Sequence, residues 1–172
     1  EGSLKTFRDK GPFQVADASV VWDDGPYEGI SMRRVVLARA EYFLDLFLVE
    51  SDRVRQIDWI YRNAGVCDQL LGASPFESAE GEGKGYEHIF NARIADADSD
   101  VICNWQLNGA GLKLWTAGMS GTRVITGQAP GNPPADLQGI TIYRRHATAT
   151  AFASVFHPHE GVAPVASVVW AG

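Results

Sequence analysis

The stretch from Arg33 to Gly65, RRVVLARAEYFLDLFLVESDRVRQIDWIYRNAG, constrains the fold more than any other part of the chain. From Tyr42 onward its apolar residues fill both alternating sets. Tyr42, Leu44, Leu46 and Leu48 would point one way, and Phe43, Asp45, Phe47 and Val49 the other. Side chains on a strand repeat every two residues, so this reads as a central strand covered on both sides. Val35–Phe47 could pass for a helix on propensity alone, but the alternation and the β-rich flanks select strands. Asp45 is the one acid among these apolar neighbours. Burying it unpaired would be costly, which predicts a structural acceptor for backbone or arginine groups.

Read as strands in series, the stretch holds Arg33–Ala40, Tyr42–Glu50 and Val54–Arg62. Ala18–Trp22 precedes them and closes on the turn residues Asp23-Asp24-Gly25-Pro26. Gly72–Tyr86, rich in Gly, Ser and Glu, reads as a long loop, and Gly127–Gln138 as a Pro/Gly loop. Further strands are expected at His88–Ile94, Val101–Leu107, Leu112–Ala117, Thr122–Ile125, Ile140–Ala147, Thr150–Pro158 and Val165–Ala171. Asn108-Gly109 is the strongest hairpin signal. About ten or eleven strands separated by turns predict an all-β fold, a two-sheet antiparallel β-sandwich, with residues 1–172 as a single domain.

The net charge of −6 argues against nucleic acid as a partner, since a phosphate backbone needs a basic footprint. No apolar run approaches the ~18 residues of a membrane span. The chain begins at Glu1 and shows no signal peptide, which suggests a processed product or an excised domain. Cys67 and Cys103 could be buried thiols or one disulfide of an exported protein.

Two histidines, His157 and His159, flank Pro158, a poor basis for a metal site without a third ligand nearby. DADSD, Asp96–Asp100, resembles a calcium loop superficially, and Asp45 could join it. It lacks the glycine and the distal glutamate of the helix-loop-helix type, so an acidic turn is the expectation and calcium the alternative. No metal or other cofactor is otherwise indicated. The five tryptophans are Trp22, Trp59, Trp105, Trp115 and Trp170. Aromatic rings pack equally well in a core or on the apolar C–H face of a sugar. Trp59 and Tyr61 share a face of their strand, and Trp105 and Trp115 flank the Asn108-Gly109 hairpin. Arg62 and Asn63, at a strand end, could bond sugar hydroxyls or a carboxylate. Arg144 and Arg145 are adjacent and must point to opposite faces.

The strings YFLDLFLVE (Tyr42–Glu50) and IDWIYRNAG (Ile57–Gly65) resemble paired strands of the heparinase II/III-like polysaccharide lyases, through Tyr42, Phe43, Asp45, Phe47, Asp58, Trp59 and Gly65. TIYRRHATATAFASVFHP (Thr141–Pro158) is similar to the late hairpin of that family. These three strings match well and the rest of the chain loosely. The resemblance implies a β-sandwich that follows an α-helical toroid. It also implies β-elimination on acidic polysaccharides, with most of the machinery on the toroid and one histidine on the sandwich. Arg62 stands where that histidine would align. Arginine stays protonated and is a poor base and metal ligand, so catalysis on this chain is not expected.

The reading is a secreted or periplasmic sandwich without catalysis of its own. It binds plant or algal polysaccharide through Trp59, Tyr61, Trp105 and Trp115 for stacking and Arg62 and Asn63 for polar contacts. A catalytic domain of the same parent protein is a second expected partner. The alternatives are a fragment of a uronate-specific lyase, or a domain that only buttresses another.

Overall fold

The computed structural model describes residues 2–67, 70, 72–76, 85–161 and 167–169, without the side chains of residues 66 and 67. Among the described residues eleven strands form, all paired antiparallel: β1 (Gly2–Arg8), β2 (Gln14–Trp22), β3 (Ile30–Ala38), β4 (Phe43–Asn63), β5 (Val66–Cys67), β6 (Ser74–Pro75), β7 (Phe90–Asp96), β8 (Val101–Leu107), β9 (Ala110–Thr116), β10 (Arg123–Pro130) and β11 (Leu137–Glu160). The helical turns among the described residues, Gly25–Tyr27 and Tyr86–His88, are three residues each, too short to cross a membrane.

β4 and β11 organise everything else. They pair along nearly their whole length, with 21 and 24 residues. Midway the register slips, from Ala147 opposite Arg55 to Ala149 opposite Glu50. A bulge of this kind bends and twists a strand pair, and here it divides the fold into two layers. In the first layer, β1, β2 and β3 lead to residues 43–51 of β4; beyond it come residues 149–160 of β11, then β9, β8 and β5. The second layer holds residues 55–63 of β4, residues 137–147 of β11, β10, β7 and β6. The two layers of the sandwich are thus the two arms of one bent sheet.

Rings from the two arms meet between the layers. Trp59 lies with its centroid 6.4 Å from Phe152 and 6.1 Å from Phe156, and Tyr61 sits 5.2 Å from Trp105. Val49, Leu114, Tyr143 and Cys103 are buried in the same core. The Cys103 Sγ is 3.8 Å from the Tyr143 hydroxyl, while the Cys67 side chain lies outside the described residues. A second, smaller core covers the outer face of the second layer. There Ile125, Ala129, Ile140 and Ile142 are buried under Phe76, Tyr86 and Ile89. Gly127 permits this approach: a Cβ there would sit 2.8 Å from the Ile89 side chain and 2.9 Å from the Phe90 carbonyl.

Asp45 is buried and accepts a bidentate pair from Arg34, Nε to Oδ1 at 2.9 Å and Nη2 to Oδ2 at 2.6 Å, as its apolar surroundings demanded. Asn108 and Gly109 turn the β8–β9 hairpin with φ of 51° and 86°, the left-handed pair that a type I′ turn needs.

Several expected boundaries move. Tyr42–Glu50 and Val54–Arg62 are one strand, as are Ile140–Ala147 and Thr150–Pro158. The polar residues between them mark the bend. Arg55 donates from Nε to the Ser51 hydroxyl at 2.9 Å, and the Asp52 amide donates to the Gly29 carbonyl at 3.0 Å. Gly127–Gln138 is half strand, since β10 runs to Pro130 and β11 begins at Leu137. β1 was not foreseen. Of the expected strand Val165–Ala171, residues 167–169 carry no strand, and the rest, with Trp170, lies outside the described residues.

Candidate functional site

Alternation along β4 sends Ile57, Trp59 and Tyr61 into the core and Asp58, Ile60 and Arg62 to the outer face of the second layer. Opposite them on β11 stand Arg144, Ile142 and Ile140 respectively. The outer face therefore carries a charged row, then an apolar row, then a row that sets Arg62 opposite Ile140. The turn at Tyr86–His88, entered through Gly85 at φ 98°, lies over that face.

Between this turn and the sheet runs a groove of about 460 Å³. Ile60, Ile140, Ile142 and Ala129 are among its apolar lining; Tyr86, His88 and Ile89 line it from the turn, and Arg62 and Pro130 lie beside it. Of these four apolar residues Ile60, 47% exposed, is the one open to solvent; Ile140, Ala129 and Ile142 are buried beneath the groove. Arg62 is exposed and donates from Nη2 to the Pro130 carbonyl, which keeps its guanidinium beside the groove.

One row along the same face from Ile60 and Ile142, Asp58 and Arg144 form an ion pair whose side chains are only 7% and 6% exposed. The arginine donates through Nε and Nη2 to the two carboxylate oxygens, each at 2.9 Å. Gln56 adds a bond to Oδ2 at 3.2 Å, and the Tyr86 hydroxyl donates to the same oxygen. The Arg144 guanidinium lies 5.3 Å from the centre of the Tyr86 ring. Burial, then the bond to Asp58, pushes the Tyr86 phenol up to about 12. Its proton is committed to Asp58, so the phenol is not a base at neutral pH. What the groove offers is an apolar surface with a guanidinium beside it and an aromatic wall.

The six residues singled out from the sequence part company here. Trp59, Trp105 and Trp115 are 4%, 1% and 3% exposed, which corrects their expected use as a stacking platform: no sugar ring can reach a face that other side chains already cover. Trp59 stacks on Tyr61 at 6.3 Å. Trp115 lies on the opposite face of its sheet from Trp105, under Lys113 at 4.6 Å and beside His157 at 6.2 Å. Tyr61 is half-buried against the core, and Asn63 half-buried at the end of β4 opposite Gly139. Arg62 alone of the six lines the groove.

Tyr86, Ile60, Asp58 and Arg144 were missed as a group. Alternation through Asp58, Ile60 and Arg62 gave their common face, but Tyr86 lay in what reads as loop. Asp98 and Asp100 of the acidic turn each accept a backbone amide, from Gly121 at 3.2 Å and Gly118 at 2.9 Å, and Asp96 faces Arg123 at 3.8 Å. Among the described residues no three His, Cys, Asp or Glu side chains gather as metal ligands.

No family model matches the sequence, and no curated protein matches it. Solved structures do match the fold. A heparinase III structure superposes with a TM-score of 0.62 at 15% identity, over 94% of this chain and 22% of that one. Heparan sulfate lyase HepC from Pedobacter heparinus matches over the same shares, with TM-scores of 0.58 at 9% identity for a mutant and 0.55 at 10% for a second structure. The chain therefore has the fold of a β-domain found in these lyases and spans 22% of their length. The likeness agrees with the resemblance carried by Tyr42–Glu50, Ile57–Gly65 and Thr141–Pro158.

Proposed function

We propose that this chain is an exported carbohydrate-binding β-sandwich, without catalysis of its own, that holds polysaccharide in the groove at Ile60, Arg62 and Tyr86. The groove is the observation that carries the reading. Its volume falls in the range of small-ligand sites, roughly 300–1,000 Å³. The exposed Ile60 suits the C–H face of a sugar ring, Tyr86 offers an aromatic contact, and Arg62 can take hydroxyls or a carboxylate by bidentate bonds. The fold shared with heparinase III and HepC supports a setting in polysaccharide degradation. In that setting the chain keeps glycan close while a separate catalytic domain acts.

Affinity gel electrophoresis against soluble neutral and acidic polysaccharides tests this. Retardation of the wild type by at least one of them, abolished by Arg62→Ala, is the expected result. Retardation that survives Arg62→Ala and Ile60→Asp would move the site elsewhere, and no retardation across the panel would refute binding. Release of unsaturated uronate ends by the isolated chain, read by ultraviolet absorbance, would replace this reading with a lyase.

A different observation favours a structural role. The inner face of the first layer continues past the core onto β1–β3, where nothing among the described residues covers it. Leu4 and Phe7 are 66% and 67% exposed, and Ala18, Val20, Met32 and Phe47 line an open groove of about 400 Å³ beside Leu4. Such a surface suits packing against another domain of a larger protein. Solubility and glycan affinity unaffected by Leu4→Ser and Phe7→Ser, in the longest stable form of the protein, would count against that role.

A further inference from the structure

We propose that Tyr86 is a positioning residue that latches the turn over the groove onto the Asp58–Arg144 pair and so fixes the width in which ligand must fit. The inference rests on the glycan-binding reading for its ligand, although the latch itself does not depend on it.

The post is rigid and the latched element is slight. Asp58 and Arg144 sit directly opposite one another in the central β4–β11 ladder, joined by two bonds of 2.9 Å and almost fully buried. The turn is one 3-10 cycle. Its backbone bonds among the described residues, His88 amide to Gly85 carbonyl at 3.2 Å and Ile89 amide to Tyr86 carbonyl at 3.0 Å, stay within it. Neither attaches it to the sheet. The Tyr86 hydroxyl does so, by donating to Asp58, and its ring lies against Arg144. Ile89, close over Gly127, supplies an apolar contact at the other end. Tyr86 and His88 line the groove from this turn, and Arg62 and Pro130 line it from the strands. Releasing the hydroxyl would let one boundary move while the other stays on its strands.

Tyr86→Phe in the full chain keeps the ring and removes the bond. Two readouts separate the latch from its use: hydrogen exchange of peptides covering the turn, and affinity for whichever polysaccharide retards the wild type. Loss of a hydrogen bond to a charged group should speed exchange in the turn by about ten- to a hundredfold. Core peptides of β4 and β11 should keep their protection, and affinity should fall by roughly tenfold as the turn must be ordered on binding. Arg62→Ala is the control: it should weaken binding while leaving exchange in the turn unchanged. Unchanged exchange in Tyr86→Phe would overturn the latch. Faster exchange with undiminished affinity would overturn its role in positioning. If the wild type binds no polysaccharide, the glycan reading falls, and the exchange result still decides whether Tyr86 holds the turn.

Discussion

Arg34 and Asp45 share one ion pair but sit in different solvents, so removing either should have unequal consequences. The Arg34 side chain is 57% exposed and that of Asp45 only 2%. Asp45 faces inward beside Phe43 and Phe47 on its own strand, with Val36 and Ser154 as its cross-strand partners. Arg34→Leu leaves a carboxylate buried with its partner gone, a loss worth about 3–5 kcal/mol when a buried pair is broken from one side. Asp45→Leu takes the charge out of the interior with a side chain of similar shape and leaves a guanidinium that can turn into water, so the change should stay within about 1 kcal/mol. The double variant should resemble Asp45→Leu alone, because once the carboxylate is gone nothing remains to be stranded. Urea unfolding at pH 7, read by tryptophan fluorescence, gives all four stabilities. Equal losses for the two single variants would refute the argument that burial of the acid, and not the bond itself, sets the cost. So would a double variant as unstable as Arg34→Leu.

Three further outcomes follow from other parts of the fold. Trp59→Ala empties the centre of the core and should cost about 3–5 kcal/mol in the same unfolding assay, whereas Arg62→Ala, on the surface, should stay within about 0.5 kcal/mol. Burial, then the charges of His159 and Lys113, holds the His157 imidazole below its ordinary value. The unfolded chain then binds the extra proton first, so stability is fully present above about pH 6.5 and declines as the pH falls from there toward the lowered folded value. Unfolding midpoints between pH 7.5 and 5 should show this slope, and His157→Gln should flatten it. Gly65 has a φ of 91°, and a Cβ there would meet the Gln106 carbonyl at 2.5 Å, so Gly65→Ala should destabilise by about 2 kcal/mol or more, seen as a lowered unfolding midpoint.

What the sequence made legible was mostly what alternation encodes. The apolar run at Tyr42–Glu50 predicted a central strand, and β4 lies between β3 and β11. Asn108-Gly109 predicted a hairpin because few residue pairs tolerate its backbone angles. Alternation is silent where a strand is exposed on both faces. Every residue of β1 is exposed, so GSLKTFR carries no period to read. The Gly and Pro that suggested a loop at Gly127–Gln138 have other work. Gly127 clears space for Ile89, and Pro130 ends β10, where its missing amide costs little. The bend was read as a break between Glu50 and Val54 for a related reason: Ser51 and Asp52 are turn-like polar residues, and here they bond each other and Arg55 at a bulge, where the ladder to β11 is interrupted.

The site follows from the same period of two, and this explains why only part of it was anticipated. Trp59 and Arg62 lie three residues apart on one strand, which puts them on opposite faces. A platform of Trp59 and Tyr61 and a polar contact from Arg62 could never have served one ligand, whatever the exposure of the rings. Fixing which face turns inward needs the partner strands. Trp59 stands opposite Tyr143, and Phe152 and Phe156 from the other arm of β11 close over it. That choice commits Asp58, Ile60 and Arg62 to the outside. Ion pairing then commits Arg144, and not its neighbour Arg145, to the same face. Arg145 turns inward instead, donating to Thr122 at 2.7 Å and Thr150 at 3.0 Å with its guanidinium 4.4 Å from the centre of the Phe152 ring. Trp59 and Trp105 determine which face is left for a ligand by occupying the other one.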